Sequence, residues 1–167
     1  MKKLGIIALL FSLLFFSCKS NNEIEKTSTT AEEMGEVIFN AIANEDASTI
    51  KKHFATSLDI EERLRRSSLS EKQKKKKEEK YIKRIASLNK GIAKVLASIQ
   101  KEELDWSKAT YDWIDYKNFE KDSVTGADIT IVFSEDKLQY EIKLKDCLLT
   151  ERGWVLFNKV SFKGQRK

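Results

Sequence analysis

One histidine and two cysteines are the whole supply of strong nitrogen and sulfur ligands in these 167 residues. A zinc site needs three or four such ligands at set spacings, and neither CxxC nor HExxH spacing occurs. The histidine, His53, stands in Lys51-Lys52-His53-Phe54 and is expected on a short helix, facing solvent or the domain edge. Six glycines are scattered along the chain, so no glycine-rich loop is available to cradle phosphate. No metal, no cofactor and no defined catalytic residue are expected. The enzymatic route that stays open is acid–base chemistry by one pocket carboxylate of raised pKa.

What is present begins at the N-terminus. Lys2 and Lys3 precede an apolar run from Leu4 to Phe16, and Ser17 stands directly before Cys18. Basic start, apolar run and small residue are the order of a secretory signal peptide. Thirteen residues of helix cover about 20 Å, short of the roughly 30 Å hydrocarbon core, so the run is a poor permanent span. An ordinary cleavage site wants small-x-small, and of Phe15, Phe16 and Ser17 only the last is small.

The segment Leu14-Phe15-Phe16-Ser17-Cys18 instead resembles a lipobox, in the relaxed form common in lipoproteins of the Bacteroidetes group; Phe15 stands where the strict pattern prefers leucine. The resemblance implies that residues 1–17 are a removed signal peptide and that Cys18 is the lipid-attachment residue. Diacylglycerol would join its thiol, and cleavage would free its amine for a further, palmitate-type chain. Two or three acyl chains hold a protein stably where one holds it marginally. The stretch Lys19-Ser20-Asn21-Asn22-Glu23 offers a single acid, whereas surface-displayed lipoproteins of that group resemble one another in an acidic cluster there. A periplasm-facing place in the cell envelope is the expectation. Residues 18–30 then form a polar, flexible tether, with one domain over residues 31–167. With Cys18 acylated, Cys147 has no partner and is expected as a buried free thiol beside Leu148 and Leu149.

The domain divides near Asp105 into a helical half and a strand half, predicting an α+β fold. Thr30 and Glu33 form a capping box for a helix to about Ala43, and Asp46 can cap a second carrying Ile50 and Phe54. Ile60 and Leu64 suggest another short helical piece. A long helix over about 70–103 carries Tyr81, Ile85, Leu88, Ile92, Val95 and Ile99, with Ile82 and Leu96 widening the stripe; that face must pack on something, and three heptads with no clean pattern before Tyr81 favour packing within the domain over a coiled coil. A sheet of about four antiparallel strands follows over about 106–163. Ala109, Tyr111 and Trp113 are expected on one face and Ile114 and Tyr116 on the other. Ala127, Ile129, Ile131 and Phe133 then alternate, as do Leu138, Tyr140, Ile142 and Leu144, and Trp154, Leu156, Val160 and Phe162.

Val37 to Asp46, followed by Ile50 and Phe54, is similar to the opening of the NTF2-like (SnoaL-like, cystatin-like) superfamily, where an apolar helix, an acidic turn and a short helix recur. Tyr140 to Leu144 through Gly153-Trp154-Val155-Leu156 is similar to its final hairpin. The middle departs, because members often place strands where Ala55 to Gln100 reads as helix and charge. The resemblance implies a curved sheet covered by helices around a conical pocket, in a superfamily that includes isomerases, dehydratases and noncatalytic exported domains.

Two polar residues interrupt the apolar strand phases: Asp146 continues that of Ile142 and Leu144, and Asn158 lies between Leu156 and Val160. With Tyr111 and Trp113 they are the candidate pocket residues. The competing expectation is a bulge at Asp146 and a hydrogen-bonded or edge position for Asn158. Charge is the other signal. Between Arg63 and Arg84 eleven Lys or Arg stand against three Glu, in a chain whose net charge is +5. Exported and tethered, this run would meet anionic lipid, lipopolysaccharide phosphate or an acidic protein rather than nucleic acid, with Lys74, Lys75, Lys76 and Lys77 as candidate contacts. A solvated helical face needs no such partner.

Overall fold

The computed structural model describes residues 25–121 and 124–166; the leader, Cys18 and the first part of the tether lie outside them. Each helix starts at a side-chain cap. Thr30 Oγ1 accepts the Glu33 N–H at 3.0 Å to open α1 (Ala31–Ala43), while the Glu33 carboxylate reaches back to the Thr29 N–H at 2.6 Å. Asp46 takes the Ser48 and Thr49 amides of α2 (Ala47–Lys52). Thr56 and Asp59 close a reciprocal box at α3 (Ser57–Arg66), and at α4 (Glu71–Lys101) the Gln73 side-chain oxygen accepts both the N–H and the hydroxyl of Ser70.

The strands β1 (Thr110–Lys121), β2 (Val124–Glu135), β3 (Leu138–Thr150) and β4 (Gly153–Gln165) form one antiparallel sheet in sequence order. Helices on a four-stranded meander are the α+β arrangement expected. Two-residue turns join β2 to β3 and β3 to β4. Asp136 and Lys137 make the first with φ of 46° and 72°. In the second, Gly153 takes φ of 114°, and any Cβ there would sit 2.5 Å from the Ser28 carbonyl oxygen.

The main core lies between one face of the sheet and α1, α2 and the second half of α4. It contains Met34, Ile38, Phe39 and Ile42 from α1, Leu88, Ile92, Val95 and Ile99 from α4, and the alternating residues of β2, β3 and β4. An aromatic cluster fills its wide end: the Phe133 ring lies 5.3 Å from Trp106, 5.4 Å from Phe39 and 5.5 Å from Tyr140. A second, smaller core forms on the other face, where α3 and the first half of α4 bring Ile60, Leu64 and Tyr81 onto Val124, Leu148, Val155 and Phe157. The long helix therefore serves both faces, changing from one to the other near Ile85 as it passes along β4. Ile82, expected within the apolar stripe, is 52% exposed because the buried face has rotated to Tyr81 at that turn.

Where the sheet bends, the strands carry unequal numbers of residues across the same line. Ala127 pairs with Cys147 and Cys147 with Leu156; Ile129 pairs with Leu144 and Leu144 with Val160. That line takes two residue steps in β2, three in β3 and four in β4, so the sheet fans open toward its β4 edge. The extra residue in β3 flips the phase, and Cys147 follows Leu144 into the core. Leu149, two residues beyond Cys147, is exposed.

A further bulge at Asp112, between Tyr111 and Trp113, corrects the expected faces of β1. Tyr111 and Ile114 both point toward Gly35 of α1, and Trp113 lies on the opposite face, 41% exposed. β1 pairs with β2 alone among the described strands, and its Asp112, Asp115, Lys117 and Glu120 discourage edge-to-edge association. The β4 edge is covered instead. Trp154 N–H donates to the Ser28 carbonyl at 2.8 Å and Leu156 N–H to that of His53 at 2.7 Å, before α4 takes over.

Candidate functional site

Of the four candidate pocket residues, the structure brings together two. Asp146 is the extra residue of β3, with φ of 54°, and Asn158 faces it from β4. Asn158 Nδ2 donates to Asp146 Oδ2 at 2.9 Å, Asp146 N–H donates to Asp128 Oδ1 at 3.0 Å, and Arg84 of α4 approaches Asp146 at 3.6 Å. Burial works to raise the Asp128 pKa, but the Lys145 ammonium and the Asp146 amide outweigh it and hold the carboxyl below its ordinary value. This polar stitch satisfies backbone and side-chain groups freed where the sheet fans open. The bulge and the hydrogen-bonded Asn158 are thus what the structure has, and the Asp146 carboxylate stands outside the apolar core.

Tyr111 and Trp113 are separated from that pair and from each other. Tyr111 packs on Phe39 at 5.8 Å, and burial, helped by Glu36 and Glu32, raises its hydroxyl pKa. Trp113 sits under the Arg166 guanidinium, 5.6 Å from the ring, where Arg166 also meets Asp115 and Glu141. The Cys147 thiol is fully buried, and desolvation, with Asp128 and Asp146 adding, pushes its pKa well up. That suits a core residue and not a nucleophile.

The most heavily bonded buried group is one the sequence did not single out. Arg152, in the β3–β4 turn, is 7% exposed and pairs with the Asp59 carboxylate at 2.8 Å. It also donates to the carbonyls of Glu25 at 3.0 Å, Lys52 at 2.9 Å and Phe54 at 3.3 Å. Asp59 takes further bonds from the Thr150 and Thr56 hydroxyls at 2.8 Å each. Beside this knot lies His53, buried at 6% exposure, which corrects its expected solvent-facing position: α2 ends there, and the ring turns inward between strand and entering chain. His53 Nδ1–H donates to the Thr49 carbonyl at 3.1 Å, which leaves Nε2 to accept the Ser28 hydroxyl at 3.0 Å.

A serine hydroxyl on an oriented imidazole has the connectivity of an activated nucleophile. Here the orienting acceptor is a backbone carbonyl, and Ser28 at 3% exposure is closed from substrate. The pair fastens the entering chain. Thr27 N–H to the Arg152 carbonyl at 2.8 Å and Lys26 Nζ to the Glu151 carbonyl at 2.8 Å complete the attachment. Residues 25–28, expected within the flexible tether, are therefore part of the fold, because their backbone completes the β4 edge.

A pH prediction follows from His53. Burial lowers its pKa, Arg152 adds to the fall, and the Thr49 carbonyl opposes it. The unfolded chain then binds the proton more readily than the native one, so stability is fully present above the ordinary value near 6.5 and is lost as pH falls toward the lowered native value. Urea midpoints should drop as pH falls below about 6.5, and His53→Gln should flatten that decline. An unchanged slope in the variant would assign the decline to the carboxylates.

The basic run also sorts itself differently in space. Arg63 is buried under the rings of Tyr81 and Phe157, 4.8 Å and 5.4 Å from their centres. Arg84 belongs to the Asp146 stitch, and Lys74 pairs with Glu71 at 2.9 Å. Consecutive lysines 74–77 step about 100° apart and so surround the helix; Lys77 is half-buried while Lys75 and Lys76 are exposed. The coherent stripe is Lys72, Lys76, Lys80 and Lys83. Further along, α4 and β4 frame an open groove of about 450 Å³, with Leu88, Val95, Val160 and Phe162 as its floor and Lys90, Lys94, Asn158, Lys159 and Ser161 around it. Among the described residues no helix is long and apolar enough to cross a membrane, and no cluster of metal-ligating side chains occurs. Compared with family models, curated proteins and solved structures, the chain matches none.

Proposed function

We propose that this chain is a cell-envelope lipoprotein, anchored through acylated Cys18 and facing the periplasm, whose domain holds a ligand or partner protein and does not turn over a substrate. The address rests on the order basic start, apolar run, Ser17, Cys18. Binding is favoured over acid–base catalysis by one observation. The Asp146 carboxylate is tied to Asn158 and Arg84 outside the core, and the interior that the NTF2-like resemblance would make a pocket is occupied by Phe39, Trp106, Phe133 and Tyr140. A pocket carboxylate serving as acid or base needs an apolar recess around it, and Asp146 lies instead among polar partners at the surface.

The α4–β4 groove suits binding: it has an apolar floor, hydroxyl and amide groups at its rim, and three ammonium groups that favour an acidic guest. Mass spectrometry of the N-terminal peptide from isolated envelopes should find Cys18 carrying acyl chains, and Cys18→Ala should abolish both that acyl mass and the cleavage after Ser17. Unmodified Cys18 in pelleted protein counts against the anchor. Cross-linked adducts that form with the native protein and disappear in Ser161→Arg would assign binding to the groove.

A further inference from the structure

We infer that the anchored domain stands on the membrane at its β3–β4 turn end, and that the exposed lysines of the first turns of α4 make its second contact, on the phosphates of anionic lipid headgroups. The inference deepens the anchored reading and rests on it for orientation, though the lysine contact is measurable separately.

The chain enters the fold at Arg152, which binds the Glu25 carbonyl and receives the Thr27 amide. The seven residues from Cys18 to Glu25 reach at most about 25 Å in any conformation. An acylated Cys18 therefore holds this end close to the headgroups. α4 brings its lysines to the same end. It runs in the direction of β4, with Tyr81 on Phe157 at 5.6 Å and Glu102 near Gly164 at the far end. The residues before Tyr81 continue back past Phe157 for about 15 Å, and β4 covers about 16 Å from Phe157 back to Arg152. Arg66, at the end of α3 and five residues before α4, lies 3.8 Å from Glu151 in the same turn.

This helical extension does nothing for the core: residues 71–80 include no buried side chain. Lys72, Lys75, Lys76, Lys80 and Lys83 are all exposed, and Lys76, Lys80, Lys83 and Arg84 surround a shallow hollow that Glu79 also borders. Several carboxylates of this end are already engaged, while Glu61, Glu78 and Glu79 remain as the acids among the lysines. Glu25 meets Lys52, Glu62 meets Arg66, and Glu151 meets Arg65 and Arg66. At the opposite end Asp105 and Asp136 flank Lys108, Glu135 accepts the Asp105 amide and Glu102 lies beside Gly164, so acids and lysines are interspersed there and no all-basic stripe forms among the described residues. Charge thus selects the end that the tether already holds down.

The test uses the acylated full-length mature protein in vesicles of phosphatidylcholine, or of phosphatidylcholine with one part in four phosphatidylglycerol. Amine acetylation is read residue by residue. Lys72, Lys75, Lys76, Lys80 and Lys83 should react severalfold more slowly in the anionic vesicles, with recovery in high salt, while Lys137 and Lys163 stay unchanged. Equal reactivity in the two vesicles, or protection at Lys137 and Lys163 instead, overturns the inference. In a second arm, unacylated Cys18→Ala protein produced without residues 1–17 should sediment with anionic vesicles and not with neutral ones. Neutralising Lys72, Lys76, Lys80 and Lys83 to glutamine should cut that partition by about fivefold per lysine. Sedimentation that survives all four changes also overturns it. Failure of the anchor is read independently as absence of acyl mass on Cys18, and the second arm stands whatever that mass shows.

Discussion

Arg152→Met should lower the stability of the domain by about 3–5 kcal/mol, a large fraction of the 5–15 kcal/mol that holds an ordinary domain folded. The guanidinium is one of the few groups joining three separated stretches of chain. Its planar fork reaches the carbonyls of Glu25, Lys52 and Phe54 and the Asp59 carboxylate together. Methionine fills much of the same volume and supplies no donor. Asp59, 2% exposed, would keep its bonds from Thr56 and Thr150 but lose its counter-charge in a site with little water. Arg152→Lys keeps the charge and loses the fork, so it should fall between, at about 1.5–3 kcal/mol.

The double variant Asp59→Leu with Arg152→Met separates the two contributions. If the ion pair dominates, removing both partners should recover most of the loss, since a buried pair replaced by apolar groups is often near neutral. If the double variant is as unstable as Arg152→Met alone, the three carbonyl contacts dominate. Amide exchange at Trp154 distinguishes a local effect from a global one. Its bond to the Ser28 carbonyl should open first, because residues 25–28 dock on the group that has been removed. In the anchored arrangement proposed above, undocking would also lengthen the tether by several residues and change the height at which the domain is held.

Elements written in local periodicity were legible in the chain. The four-and-three spacing from Tyr81 to Ile99 buries the residues it marks except Ile85, which is half-buried where the helix changes faces, and the alternation from Ala127 to Phe133 buries all of its own. The capping residues Thr30 and Asp46 act where their spacing places them. Features made by pairing distant segments were not legible. Arg152 and Asp59 are 93 positions apart, and His53 and Ser28 are 25 apart. Nothing local to Lys51-Lys52-His53-Phe54 shows that β4 and the entering chain close over the ring. Counting charges treated Arg63 like its neighbours, whereas the rings of Tyr81 and Phe157 take it into the second core. The candidate pocket failed for a similar reason. An apolar phase read along one strand carries Asp146 inward, and the added residues in β3 and β4 are seen only across strands.

Phe133→Ala should cost about 3–5 kcal/mol and leave a void at the wide end of the sheet. The side chain is fully buried among Phe39, Trp106 and Tyr140, with Phe162 at 6.5 Å, and its contacts with Trp106 and Tyr140 are stacked, at interplanar angles of 22° and 24°. The size of the loss reports how far those rings collapse into the space. If they stay in place, the result is a dry apolar cavity where the NTF2-like resemblance would put a pocket. Such a cavity should take up benzene, raising the melting temperature of the variant with the logarithm of benzene concentration above its Kd and leaving that of the native protein unchanged. If Trp106 swings inward, the loss should sit at the low end of the range and benzene should have no effect. A thermal shift already present in the native protein would mean that the interior is less filled than its ring contacts indicate, and it would reopen the case for a pocket beneath the sheet.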